Sequence, residues 1–322
     1  MVPGLPLKNT QASTGDTFEA AVLAGLSRRP RAIPAKFLYD AQGSALFDAI
    51  CELPEYYLTR TEITILRDRA PEIAALAGPG RQLIEFGSGS SVKTRLLLDS
   101  LEAVAAYVPI DISGEHLEAT SRRLRADYPA LAIVPVCADY TDLPMLPWLP
   151  GSSGAAKLGF FPGSTIGNLD PDEALAFLRN ARRLLGPGGA LVLGADLKKD
   201  PGMLHAAYND SAGVTAAFSL NLLARMNREL GASFDLEGFA HEAFYNPAAG
   251  RIEIYIRSLR PQSVRIAGQR FFFDAGERVH TEYSYKYDLA DMDALAVPAG
   301  FVRTQTWTDP GRLFSVNYFV AT

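Results

Sequence analysis

The chemistry-bearing residues of this chain gather at the ends of short apolar runs. Leu83-Ile84-Glu85-Phe86 leads into Gly87-Ser88-Gly89-Ser90, so the run ends in an acidic residue and two glycines one position apart. Glycines there let the backbone turn sharply and approach a ligand that any Cβ would repel. A dinucleotide fingerprint wants a third glycine three residues after the second, and Val92 holds that place. Asp111, 24 residues after Gly87, ends the next apolar run. An acid at such a strand end can accept both hydroxyls of a ribose; a helix cap or a solvent-facing aspartate is the plainer reading. After a third run, Asp139-Tyr140 offers a carboxylate for an exocyclic amine and a ring for stacking, unless it is an ordinary loop. Lys93 falls in the first turn of the following helix, where the helix dipole disfavours a cation, and this favours an anionic ligand group over solvent.

Two further stretches combine donors and acceptors. Phe161-Pro162-Gly163-Ser164-Thr165-Ile166-Gly167-Asn168 brings two glycines, two hydroxyls and an amide together. If buried, Asn168 must find partners, and a substrate carboxylate or amine is one; capping the helix that opens near Pro171 is the other. In Val279-His280-Thr281-Glu282-Tyr283-Ser284-Tyr285-Lys286 the strand period of two puts Glu282 and Ser284 on one face. Side by side they suit a polar ring with two nitrogens, although a polar strand face by itself is more often solvated. The four histidines, His116, His205, His241 and His280, show no metal-ligand spacing, and no metal is expected.

The elements that must position these groups follow from periodicity. Thr17–Leu26 and Thr59–Ala77 are expected to be helices, the second stopped by Gly78-Pro79-Gly80. Strands are expected at Gln82–Phe86, Ala106–Ile110, Ala132–Val136, Lys157–Phe161 and Ala190–Gly194, with helices at Val92–Ser100, Gly114–Asp127 and Asp172–Leu185 between them. Such βαβ repetition predicts a parallel, doubly wound sheet. A helix at Leu289–Val297 and a terminal hairpin, Phe301–Trp307 with Phe314–Val320, would complete seven strands. The intervening Leu197–Tyr287 is half helical and half strand, including Arg251–Ser258 and Val279–Tyr287. The division expected is a core of residues 61–196 and 288–322, a second α+β domain of 16–60 and 197–287, and a flexible tail at 1–15.

With 322 residues, 48% hydrophobic and 21% charged, the chain reads as an ordinary globular protein. A formal net charge of −5 provides no basic surface for nucleic acid. Cys51 and Cys137 lie far apart, outside any disulfide or zinc pattern. With no secretory h-region and no bilayer-length apolar run, a cytoplasmic protein without membrane contact is expected.

An acidic residue two before the first glycine, without the third glycine, resembles S-adenosylmethionine-dependent methyltransferases. The remaining landmarks resemble the histidine Nα-methyltransferases of ergothioneine biosynthesis. They are Phe37-Leu38-Tyr39-Asp40, Gly43-Ser44, Leu46-Phe47, Leu53-Pro54-Glu55-Tyr56-Tyr57 and Thr59-Arg60-Thr61-Glu62. Glu85-Phe86-Gly87-Ser88-Gly89, Gly163–Asn168, Tyr208-Asn209-Asp210, Gly213–Phe218, Asn227-Arg228-Glu229-Leu230 and Thr281-Glu282-Tyr283-Ser284 continue the likeness over nearly the whole chain. The resemblance implies a Rossmann-like class I methyltransferase core with a substrate-binding domain built from the N-terminal segment and the insertion. It implies S-adenosylmethionine held by Gly87, Lys93, Asp111, Asp139 and Tyr140, with S-adenosylhomocysteine as product. It further implies L-histidine as the small-molecule partner, converted by a monomeric enzyme to its trimethylated betaine, hercynine. Asn168 and Tyr208 would take the carboxylate, Tyr56 would sit near the α-amine, and Glu282 and Ser284 would read the imidazole. Tyr39, Phe47 and Tyr56 would line the site as rings that attract a quaternary ammonium, or else form ordinary core. Where the family pattern has methionine, this chain has Ile254 after Arg251-Ile252-Glu253. Relatives in the wider family methylate tryptophan derivatives, so that acceptor and a ligand-sensing homologue without turnover stay open. Glu282 favours an imidazole, since an indole offers a single donor.

Overall fold

The computed structural model of the chain describes residues 17–89, 91–143, 145–146 and 154–322. The expected tail and Ser90 lie outside the described residues. The N-terminal segment holds α1 (Phe18–Ser27), the short strand β1 (Arg31–Ala32), α2 (Ala41–Cys51) and α3 (Tyr57–Ala77). Alternation follows with β2 (Gln82–Phe86), α4 (Val92–Leu98), β3 (Ala106–Asp111), α5 (Gly114–Asp127), β4 (Val136–Cys137), β5 (Lys157–Phe161), α6 (Pro171–Leu185) and β6 (Ala190–Asp196). The insertion carries α7 (Pro201–Tyr208), α8 (Val214–Leu230), β7 (Phe239–Asn246), β8 (Arg251–Ser258), β9 (Gln262–Ile266), β10 (Gln269–Phe273) and β11 (Arg278–Tyr285). The chain closes with α9 (Leu289–Ala296), β12 (Phe301–Thr308) and β13 (Phe314–Ala321).

Seven strands form one sheet in the order β12-β13-β6-β5-β2-β3-β4. Only β13 runs against its neighbours, pairing antiparallel with both β6 and β12. Strand alternation divides the apolar residues between two faces. Leu83, Leu158, Phe160 and Val192 pack with α3, whereas Ile84, Phe86, Phe161, Leu191 and Leu193 pack with α6. Helix α6 presents Ala174, Phe177, Leu178, Ala181, Leu184 and Leu185 to the sheet, and an Asp170–Glu173 capping box with Pro171 behind it fixes where the helix starts. Each of the leucines and the phenylalanine contributes about 1.5–3 kcal/mol on burial.

One strand departs from expectation. Ala132–Val136 contributes a single bridge, Ile133 to Tyr107, and the regular strand shrinks to Val136–Cys137. Pro135 is the physical reason: it has no N–H to give to the ladder. Helix α3 also starts earlier than predicted, at Tyr57.

A second sheet, in the order β1-β11-β8-β7, is built from the N-terminal segment and the insertion, and β9-β10 forms a separate hairpin. The two sheets meet where the chain just after β11 bridges in parallel to the chain just after β6, at Tyr287 and Leu197. The Tyr287 N–H donates to the Asp196 carbonyl at 3.0 Å, and the Lys198 N–H donates to the Tyr287 carbonyl at 3.1 Å. The 3-10 turn Thr165–Asn168 lies against β11 so closely that a Cβ on Gly167 would sit 2.7 Å from the Tyr285 carbonyl oxygen. Strand order reverses between β2 and β5, the switch point at which open α/β sheets bind ligands. Among the described residues no helix is long and apolar enough to cross a membrane.

Because that Cβ meets backbone rather than a side chain that can turn away, Gly167→Ala is expected to separate the turn from β11. The cost should be about 1–3 kcal/mol, read by chemical denaturation, with loss of activity in the surviving folded protein.

Candidate active site

A cavity of about 1130 Å³ opens at the switch point and runs under the second sheet. It exceeds the usual size of a single small-ligand pocket and has room for a nucleoside-bearing cofactor and a second metabolite. Gly87, Asp111, Asp139 and Tyr140 line it at the strand ends. Gly87 adopts φ +78°, a left-handed conformation that admits glycine readily, and its N–H donates to the Ile110 carbonyl at 2.9 Å. The Tyr140 ring lies over this turn, 3.5 Å from where a Gly87 Cβ would stand, and packs edge-on against Phe161 and Phe177. Asp111 Oδ1 accepts from the Ser113 N–H at 2.8 Å, while burial raises its carboxyl above the ordinary value. Burial also works to raise Asp139, but hydrogen bonds from Thr141 and the Lys36 ammonium 3.2 Å away bring it below the usual range. A glycine turn, a strand-end carboxylate and a ring beside a second carboxylate can together receive a nucleoside.

Lys93 is placed differently from expectation. Its ammonium lies 2.6 Å from Glu62 Oε2 and does not line the cavity. Glu62 itself is 1% exposed and accepts the Gly163 N–H on both oxygens, at 3.0 and 2.8 Å. This carboxylate ties α3 to the loop after β5 and holds the lysine that sequence reading aimed at the cofactor. Glu85, the acidic residue of the glycine motif, is likewise structural. It is buried and accepts from Thr94 Oγ1 at 2.7 Å and from the Tyr107 hydroxyl.

The other end of the cavity carries Tyr39, Phe47, Tyr56, Asn168, Tyr208, Glu282 and Ser284. The ring centroids of Tyr39 and Phe47 are 5.5 Å apart, those of Phe47 and Tyr56 6.3 Å, and those of Tyr56 and Tyr208 6.1 Å. Phe218 of α8, which sequence reading left without a role, completes the cluster 5.3 Å from Tyr39. Burial holds the Tyr39 and Tyr56 phenols well above their ordinary range, so both stay neutral at physiological pH. Asn168 does not cap α6, since Asp170 does; its Nδ2 donates to Glu282 Oε1 at 2.8 Å. That bond joins the core sheet's loop to the second sheet inside the cavity. Burial, partly offset by the charge of Lys286, pushes the Glu282 carboxyl up to about 7. Opposite Glu282 on the paired strand stands Ile254, 3% exposed and also lining the cavity.

Beneath Tyr208 and Ser284 lies a charged layer that sequence reading missed. Asp196 and Lys286 have no exposed side-chain surface and stand 2.8 Å apart. Asp196 also accepts from the Tyr57 hydroxyl and from Lys199, and burial lowers Lys199 to about 8. An acid at the end of a parallel strand was the available signal, but the predicted strand stopped at Gly194.

A family model described as histidine-specific methyltransferase, SAM-dependent, matches residues 18–321. The chain belongs to this family. It is therefore an S-adenosylmethionine-dependent methyltransferase. Among relatives, it is similar to the histidine N-alpha-methyltransferase of Mycolicibacterium smegmatis, with 43% identity over 96% of both chains. The histidine N-alpha-methyltransferase of Mycobacterium tuberculosis is 41% identical over 92% of both. The ergothioneine biosynthesis protein 1 of Neurospora crassa is 32% identical over 87% of this chain and 32% of its own length.

A ligand N–H that donates to Glu282 stabilises the carboxylate, so binding lowers its pKa and releases a proton. Affinity for an N–H ring ligand should therefore fall as pH drops below about 7, by up to tenfold per unit. Calorimetric titration between about pH 6 and 8 should show this slope in the native protein. In Glu282→Gln only the ligand's own titration should remain.

Proposed function

We propose that this enzyme transfers three methyl groups in succession to the α-amino nitrogen of L-histidine. The product is hercynine (Nα,Nα,Nα-trimethylhistidine), at the first step of ergothioneine biosynthesis. The carrying observation is the Asn168–Glu282 hydrogen bond inside the cavity, which sets a carboxylate beside Ser284 where a two-nitrogen ring can be read. The histidine N-alpha-methyltransferases at 43% and 41% identity support the same acceptor.

In this reading Gly87, Asp111, Asp139 and Tyr140 hold the adenosyl group, and Lys93 exchanges its contact with Glu62 for the cofactor's carboxylate. When bound, S-adenosylmethionine supplies a methyl on a sulfonium, whose sulfur takes the bonding electron pair as the methyl leaves. Asn168 and Tyr208 grip the histidine carboxylate, Glu282 and Ser284 hold the imidazole, and Tyr56 orients the amine toward the methyl. Alignment and exclusion of water account for the rate, because the donor is already reactive. The amine loses a proton before each transfer. The buried phenols of Tyr39 and Tyr56 are poor acceptors for it, so the proton passes to water. As positive charge becomes permanent on nitrogen, the faces of Tyr39, Phe47 and Tyr56 stabilise it.

The two lobes of the proposal follow the two sheets, with residues 61–196 and 288–322 as core and 16–60 and 197–287 as substrate domain. The helical start at Tyr57 supports moving the first boundary to that residue. In this reading the enzyme acts as a monomer in the cytoplasm, a compartment that keeps free cysteines such as Cys51 and Cys137 reduced.

Purified enzyme incubated with S-adenosylmethionine and a mixture of the standard amino acids should yield histidine bearing three additional methyl groups by mass spectrometry. Methylation of tryptophan with histidine untouched would overturn the assignment, as would cofactor binding with no methylated product.

A further inference from the structure

Lys286 lies below the substrate end of the cavity, with no exposed side-chain surface and without lining the cavity. An ammonium has three hydrogens to donate and no lone pair. Here all three are committed: to Asp196 Oδ2 at 2.8 Å, to the Tyr208 hydroxyl oxygen at 2.8 Å and to Ser284 Oγ at 2.9 Å. The two hydroxyl oxygens are themselves 2.8 Å apart.

Counting hydrogens gives the consequence. Both oxygens already accept from the ammonium, so neither can direct its own hydrogen back to Lys286. One hydroxyl hydrogen spans the Tyr208–Ser284 contact. The other has no acceptor among the described residues, and both residues line the cavity. Of the four lone pairs on the two oxygens three are taken, and the adjacent cation weakens the fourth as an acceptor. Left to itself a hydroxyl pair would donate or accept as the ligand required. With a cation behind it the pair is polarised outward, and charge strengthens the outward donor.

We propose that Lys286 is a positioning residue that biases the Tyr208–Ser284 pair toward donation, so this corner of the pocket favours a ligand atom with a free lone pair over a second N–H. The inference deepens the histidine reading and rests on it. Three kinds of histidine atom have that chemistry, and with the free-base α-nitrogen facing the methyl donor two are left, an α-carboxylate oxygen and the unprotonated ring nitrogen. With Glu282 accepting from the ring N–H, the second case selects the neutral imidazole, one donor and one acceptor, over a ring that carries two N–H groups.

The test is calorimetric binding to the enzyme saturated with S-adenosylhomocysteine, using histidine, histamine (no carboxylate) and a pyrrolylalanine that keeps the ring N–H but has C–H for the second nitrogen. In the native enzyme at least one analogue should bind about tenfold or more weakly than histidine; which one does so identifies the corner atom. Lys286→Met should weaken histidine at least about tenfold and shrink that analogue's penalty toward onefold. Asp196→Asn/Lys286→Met removes both charges, so it should recover thermal stability and S-adenosylhomocysteine binding while the histidine defect and the lost discrimination persist. Equal binding of all three ligands to native enzyme would overturn the proposal, as would full recovery of histidine affinity and discrimination in the double variant. Native enzyme that binds no histidine would instead refute the histidine reading itself.

Discussion

Two charges with no access to water, Asp196 and Lys286, must meet for this fold to close. Each alone would be costly to bury, and removing one partner of such a pair typically costs about 3–5 kcal/mol. Asp196 ends a strand of the large sheet, and Lys286 follows a strand of the small one. Their contact therefore fixes how the two sheets sit at the place where the cavity needs them fixed. Tyr57 and Lys199 on the acid, and Tyr208 and Ser284 on the base, complete the hydrogen bonding that makes the burial tolerable.

From that junction the substrate end of the site follows. The Asn168 amide reaches Glu282 because Gly167 has no Cβ to hold the turn away from β11. Ser164, at φ +57°, holds a left-handed conformation that a serine seldom adopts, and its Oγ accepts the Asp196 N–H at 2.9 Å. One short loop is thus clamped by Glu62 at Gly163, by Asp196 at Ser164 and by β11 at Gly167. The cofactor end depends on a different constraint, the glycine turn after β2 beneath the Tyr140 ring.

Much of this was legible before any coordinates. The strand–helix alternation, the interruption after β6 and the strand-end positions of Gly87, Asp111 and Asp139 follow from periodicity and from where apolar runs stop. The resemblance brought Tyr208, Glu282 and Ser284 to the same site, and these residues do line one cavity. What sequence reasoning missed are groups whose partners are remote in the chain. Glu62 meets Gly163 101 residues away, and the two bonds from Asn168 to Glu282 and from Lys286 to Tyr208 span 114 and 78 residues. No periodicity reports such pairings. The contact of Lys93 with Glu62 was hidden for the same reason, because its acid lies one helix earlier in the chain. The shortened fourth strand is another kind of miss: Pro135 was visible, but the surrounding apolar run outweighed it.

The central claim is that a histidine lies between the two sheets, with its ring on Glu282 and its amine toward the methyl donor. A crystal structure of the enzyme with S-adenosylhomocysteine and histidine tests it most directly. The account predicts a ring nitrogen within about 3 Å of a Glu282 oxygen and the α-nitrogen facing the cofactor sulfur. A histidine bound elsewhere, or with its ring away from Glu282 and its amine away from the sulfur, would contradict it.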